Sequence, residues 1–346
     1  MSSSTPEGEG GGNSGEEAAA PPPHILVFPF PAQGHMIPLL DFAHILSLRG
    51  LSVTVLVTPK NAPLLQPLLS RSPAVSPLVL PFPSHSSLPA GVENTQDLPL
   101  RPEGLPGEHL QLGLRLQLIH RRGGGPSAPP PGRSRPPPRL GRGAPAPPGD
   151  AADRGGGDGN GDGDGVLAWL GGRAEGSVVY VCFGSHTKLT AAQAAAVGAA
   201  LERSGAGFDR REGGGAEGVA PQVAILSHPA VGSFLTHCGW NSVMEGIVAG
   251  VALLMWPMTA DQFYNAQLLG ELRIGIRACE RADAVPDPDD LARVMAGSVD
   301  GSGSPMRARA LELRREAAEA TREGGDSHRQ ISELVDELRR LKRRPL

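Results

Sequence analysis

Cysteine and aromatic side chains are scarce in this 346-residue chain, which holds three cysteines and only 4% Phe, Trp and Tyr. Cys182, Cys238 and Cys279 are odd in number and sit in apolar runs. That excludes a disulfide-stapled scaffold and fits a reducing compartment, so a cytoplasmic protein is expected. No second pair at zinc spacing accompanies His237 and Cys238, and no metal is expected. No stretch approaches the ~18 apolar residues of a membrane-spanning helix. The opening MSSSTPEGEGGGNSGEEAAAPPP lacks the apolar core of a secretion signal. A net charge of -4 with no clustered basic face argues against nucleic acid.

Glycine and proline, in contrast, are plentiful, at 47 and 35 residues, and crowd the stretch from Arg121 to Gly165. Such composition buries too little apolar surface to offset chain entropy, and repeated proline removes ladder donors, so no buried strand is expected there. Asp153, Asp158, Asp162 and Asp164 within it lack the terminal Glu of a calcium loop. On either side, β-rich and helical runs alternate. HILVFPF, LSVTVLVTP and SPLVLPFP read as strands, with MIPLLDFAHILSLRG as a helix between the first two, a right-handed βαβ start. Further on, GSVVYVCFGS leads to the helix TAAQAAAVGAALERSG, the apolar runs VAILSH and VGSFLTH, the helix NSVMEGIVAG, the run VALLMWP and a helix after ADQF. This alternation specifies an α/β protein with parallel sheets. The tail from DPDDLARVMAG to ISELVDELRRL has Leu, Ile and Val at helical spacing and is expected to cross back to the first domain.

Polar chemistry concentrates between Gly218 and Asn265. The run VGSFLTH ends in Cys238, Gly239, Trp240, Asn241 and Ser242, where a helix should begin. A helix N-terminus presents unpaired N–H groups and about half a positive charge, which suits a phosphate. Glu245, one turn beyond Asn241, can face the same ligand. Asp261 and Gln262 suit sugar hydroxyls, and Asp261 also suits the N-cap of QFYNAQLL. His35 lies in a Gly/Pro-rich turn between the first strand and first helix, where ligands collect in open α/β sheets. A neutral imidazole there can take a proton from a hydroxyl, worth about 10²–10⁴ in rate. Taken singly, His35 reads as a turn histidine, Trp240 as a packing residue and Glu245 as solvated.

The segment GVAPQVAILSHPAVGSFLTHCGWNSVMEGIVAGVALLMWPMTADQFYN resembles the signature box of plant family-1 UDP-dependent glycosyltransferases. The resemblance implies that His237 contacts the diphosphate and that Gly239, Trp240, Asn241 and Ser242 line the phosphates and sugar. It implies Glu245 on the ribose hydroxyls, Asp261 and Gln262 on the transferred hexose, Ala220 and Gln222 on the uracil, and Ser185 near the donor phosphates. His35, in the pattern GHMIP, corresponds to the general base. Two positions depart from the box. Val219 stands where the family has a Trp that stacks on uracil, a contact worth about 1–3 kcal/mol. Ala252 stands where Pro is usual, which loosens a turn. The family's Asp-bearing segment, which pairs with the base, has no counterpart; Asp97 is the nearest upstream acid and belongs to a loop-like run. The chain is about a quarter shorter than the family norm, and a second gap after LERSGAGF removes a strand. A disturbed reading frame and true divergence both account for these gaps.

The expected fold is GT-B, two facing Rossmann-like domains, with low-complexity sequence replacing part of the first. The expected divisions are 1–23 without structure, 24–120 a partial acceptor-side domain, 121–165 the Gly/Pro-rich segment, 166–325 the UDP-sugar domain and 326–346 a closing helix. The expected activity is inverting transfer of glucose from UDP-glucose to a small phenolic acceptor such as a flavonoid, by a monomer, with no cofactor. The alternative expectation is an impaired homologue that only binds the nucleotide sugar or a protein partner.

Overall fold

The structure is a computed structural model that describes residues 22–84, 89–94, 163–184, 187–207, 222–299 and 304–342. It contains two parallel sheets, as the alternation of runs requires. The first has the order β1-β2-β3, from β1 (His24–Val27), β2 (Ser52–Val57) and β3 (Val75–Val79). The helix α1 (Gln33–Leu48) connects β1 to β2, and α2 (Gln66–Arg71) precedes β3. Along β2 the pleat alternates, so Val53, Val55 and Val57 are buried while Ser52, Thr54 and Leu56 face the other side. Val53 and Val55 pack with Met36, Leu40, Ala43 and Leu46 of α1 in one core. The opposite face carries a polar line, His24 Nε2 to Thr54 Oγ1 at 2.7 Å and Thr54 Oγ1 to Ser76 Oγ at 3.1 Å. Leu26, Phe28, Leu78 and Leu80 are exposed.

The second sheet has the order β4-β5-β6-β7, from β4 (Val178–Cys182), β5 (Val231–Thr236), β6 (Ala252–Met255) and β7 (Gly275–Arg277). Helices α3 (Gly163–Gly171), α4 (Ala191–Ser204), α5 (Gln222–Ser227), α6 (Trp240–Ala249) and α7 (Gln262–Glu271) surround it. Every residue of β5 and β6 is buried, the signature of central parallel strands covered on both faces. A capping box at Thr190 and Gln193 starts α4, and Gly205, with φ 67°, ends it. Beyond that cap Gly207 makes one parallel bridge to Val178, on the side of β4 away from β5.

Two features depart from expectation. The run VAILSH lies in the helix α5 rather than continuing the strand series, since a six-residue apolar run reads equally as either. α3 begins at Gly163, inside the stretch expected to lack structure. Val166, Leu167, Trp169 and Leu170 pack on the second core, and that packing extends the helix back into the glycines. The tail forms α8 (Pro288–Val299), α9 (Pro305–Thr321) and α10 (Asp326–Lys342). α9 contributes Ala310 and Leu313 to the second core, whereas α10 contributes Ile331, Val335 and Leu338 to the first. The Arg339 guanidinium donates to the Arg49 carbonyl at 2.7 Å at the end of α1. No helix among the described residues is long and apolar enough to cross a membrane.

Candidate active site

The turn between β5 and α6 is built on a strained residue. Cys238 has φ 64°, a left-handed conformation that costs a residue with a Cβ roughly 1–2 kcal/mol. Its N–H donates to Thr236 Oγ1 at 3.2 Å, its carbonyl accepts Asn265 Nδ2 at 2.9 Å, and its side chain is fully buried. Gly239 then becomes the N-cap of α6, and Asn241 and Ser242 fall in the first turn. The His237 imidazole lies over two glycines. A Cβ on Gly184, whose φ is 74°, would sit 2.8 Å from His237 Nε2, and one on Gly239 would meet the same atom. Both glycines are therefore shaped by the ring.

On one flank, Gln222 at the start of α5 reaches α6. Its Nε2 donates to Glu245 Oε2 at 2.6 Å and to Ser242 Oγ at 3.4 Å, while its Oε1 accepts the Tyr180 hydroxyl at 3.3 Å. The phenol thus fixes which end of the amide faces the carboxylate. Burial, with the neighbouring Cys182 and Glu245 adding to it, pushes the Tyr180 phenol far above its usual range, so it remains a donor. Tyr180 was not singled out in the sequence, because an aromatic in a β-rich run carries no signal of a hydrogen-bonding role.

On the other flank, Gln262 is buried and its Oε1 accepts the N–H groups of Met258 and Thr259, each at 2.9 Å. Its oxygen shapes the loop, which leaves its Nε2 as the atom that can serve a sugar. Asp261 stands at the N-cap of α7 without forming a side-chain cap bond, contrary to the sequence expectation. Its backbone is already helical, φ -66° and ψ -14°, whereas capping requires an extended residue. Its carboxylate instead accepts Asn265 Nδ2 at 2.9 Å, and Asp261 is exposed.

In the first half of the molecule, His35 is the third residue of α1 rather than part of the preceding turn. The Ala32 carbonyl accepts the N–H groups of His35 and Met36, both at 2.9 Å, so the helix starts earlier than the Gly/Pro-rich sequence suggested. The His35 ring is exposed and meets Phe30 edge-on, centroids 5.4 Å apart. Among the described residues no carboxylate bonds it. The carbonyl of Gly34, one residue before, accepts the Asn241 amide, which joins the first helix of one half to the first turn of α6 in the other. Ser185, Ala220, Val219 and Asp97 lie outside the described residues.

Neither thiol of the site supplies a thiolate at neutral pH. Burial raises Cys182, and it pushes Cys238 up to about 12 despite the opposing charge of Arg277. Among the described residues no group of three or more His, Cys, Asp or Glu side chains could hold a metal ion. The polar groups that converge are His237, Asn241, Ser242, Glu245, Gln222 and the free end of α6, an arrangement for an anionic ligand bearing hydroxyls.

Known proteins share this arrangement of sequence. The family model described as UDP-glucoronosyl and UDP-glucosyl transferase matches residues 166–282. The flavonol 3-O-glucosyltransferase UGT89B1 of Arabidopsis thaliana is 37% identical over 456 residues, which covers 91% of this chain and 96% of that protein. The chain belongs to this UDP-glycosyltransferase family. The flavonol 7-O-rhamnosyltransferase of Arabidopsis thaliana is 35% identical over 425 residues, covering 91% of this UDP-glycosyltransferase and 98% of its relative. The crystal structure of Arabidopsis thaliana UGT89C1 complexed with UDP superposes with a TM-score of 0.70 at 34% identity, covering 91% of this chain and 99% of that one. The same protein has been crystallised with quercetin and with UDP-L-rhamnose. The fold is GT-B. The first alignment runs over 456 positions against a chain of 346 residues, so the relative carries segments with no counterpart here.

Proposed function

We propose that this transferase moves glucose from UDP-glucose to a hydroxyl of a small phenolic acceptor, with inversion at the anomeric carbon. The observation that supports the reading is the bond between Asn241, in the first turn of α6, and the carbonyl of Gly34, the residue before His35. His35 takes the acceptor proton as the acceptor oxygen attacks the anomeric carbon. The bond from that carbon to the diphosphate oxygen breaks on the opposite side, and UDP leaves with its electron pair. His237, Ser242 and the α6 N-terminus receive that charge, so neither a metal nor another cofactor is required. Glu245 exchanges the Gln222 amide for ribose hydroxyls, while Asp261 and the Gln262 amide serve the hexose. Relatives named for flavonol transfer support a flavonoid acceptor, and the rhamnosyl relative makes UDP-rhamnose the competing donor. We also expect a cytoplasmic monomer.

The test is product formation from UDP-glucose and, separately, UDP-rhamnose with quercetin, in wild type, His35→Ala and Glu245→Ala. His35→Ala should lose about 10²–10⁴ in kcat. Glu245→Ala should weaken donor binding by about 10–100-fold, the loss of a charged hydrogen bond of about 1.5–3 kcal/mol. Wild-type transfer that survives His35→Ala would overturn the assignment. A second reading, donor binding without transfer, is favoured by the lack of a carboxylate on His35 among the described residues; it predicts UDP binding lost in Glu245→Ala and no product in any form.

A further inference from the structure

Proline inside a helix removes the N–H that would bond the carbonyl four residues earlier, and its ring pushes that carbonyl outward. Pro38 is such a residue in α1, and the carbonyl it leaves without a helical donor belongs to Gly34. That same carbonyl accepts the Asn241 amide from the other half of the molecule. The two facts fit together. An ordinary residue at 38 would supply an N–H to Gly34 and turn its carbonyl back along the helix axis, away from α6.

We propose that Pro38 is a positioning residue, which by withholding its N–H dedicates the Gly34 carbonyl to Asn241 and thereby fixes His35 relative to the donor end of α6. Pro38 is itself exposed and is not among the residues assigned to the donor. Gly34 and His35 are adjacent in the first turn of α1, and Asn241 and Ser242 are adjacent in the first turn of α6. One bond between these turns therefore sets the spacing between the base and the bound sugar. Pro38 stands outside the groups assigned to the donor, so its replacement should appear in the chemical step rather than in UDP affinity. A shift of about 1 Å between reacting groups is enough to cost up to about 10²-fold in rate. The proposal rests on the transferase reading for its kinetic consequence, and on the contact alone for its structural one.

The experiment compares wild type, Pro38→Ala, Asn241→Ala and the double variant, together with a form carrying lactic acid at position 38. The lactate form has a backbone ester in place of the N–H and lacks the proline ring. Pro38→Ala should lower kcat about tenfold or more, with UDP affinity within about twofold of wild type, and the lactate form should restore kcat. Full activity in Pro38→Ala, an equal loss of UDP affinity, or no rescue by the ester would overturn the proposal. Urea unfolding of the four side-chain forms supplies a readout that needs no activity. Because both substitutions act on one carbonyl, their effects on the midpoint should not add, and strict additivity would dismiss the link. If wild type neither binds UDP nor forms product while the midpoints remain non-additive, the functional reading fails and the link stands.

Discussion

Gly184→Ala tests whether the imidazole of His237 is held by a glycine-lined seat. Two costs act on this position. The left-handed backbone, φ 74°, costs a residue with a Cβ roughly 1–2 kcal/mol. The new methyl would also lie 2.8 Å from His237 Nε2 and 2.9 Å from Cε1, separations that real Cβ atoms do not show, so the ring must move. Gly205 separates the two effects. It has φ 67° and nothing within 4 Å of an added Cβ, so Gly205→Ala carries the backbone cost alone. Gly205→Ala should lose about 1–2 kcal/mol of stability in thermal unfolding, and Gly184→Ala at least as much. Only Gly184→Ala should also weaken UDP, by about 10–100-fold in titration calorimetry, the loss of a hydrogen bond to a charged group worth about 1.5–3 kcal/mol. Unchanged UDP affinity in Gly184→Ala, or an equal loss in Gly205→Ala, would refute the seat.

His44 gives a pH dependence of stability. Its Nδ1 meets Ser72 Oγ at 2.6 Å in the first core, and burial, then Arg71, hold its pKa below the ordinary 6.5, with Asp41 opposing. The unfolded chain therefore takes up this proton more readily than the folded one, so stability is intact above pH 6.5, falls as pH drops below it and levels off under the lowered folded value. The melting temperature between pH 7.5 and 5 should show this fall, and His44→Gln should flatten it; an unaltered slope would assign the fall elsewhere. Cys238 should resist iodoacetamide at neutral pH in the native protein, and rapid labelling seen by mass spectrometry would contradict its buried, protonated state. Ile331→Ala in α10 should cost about 2–5 kcal/mol in unfolding, and a value near zero would show that α10 is not part of the first core.

The sequence made the repeating layers legible because they rest on periodicity. Predominantly apolar runs such as VGSFLTH and VALLMWP specify buried parallel strands, and the charge-bordered leucines of the tail specify helices. The anion-binding start of α6 was legible too, from an apolar run that stops in small polar residues. What was not legible depends on contacts between distant positions. Nothing near Tyr180 in the chain announces that its hydroxyl orients Gln222, 42 residues later. The αL conformation of Cys238 is imposed by Thr236 and Asn265 against the residue's own preference. Asp261 looked like a cap by its place before a helix, yet its dihedrals decide otherwise. Pro38 did carry a local signal, a proline inside a helical run, but the amide bonded to the Gly34 carbonyl, that of Asn241, lies 207 positions beyond that glycine.

The docking of α10 on the first core governs the order in which the molecule can be completed during synthesis. The groove that Ile331 and Val335 fill is formed by α1 and its strands, which leave the ribosome first. Roughly 250 residues separate them from the helix that fills it, about 10–50 s of translation at ordinary elongation rates. The half made earliest is therefore the last to be finished, and a chain cut short before α10 would leave its leading half open to chaperones and to aggregation.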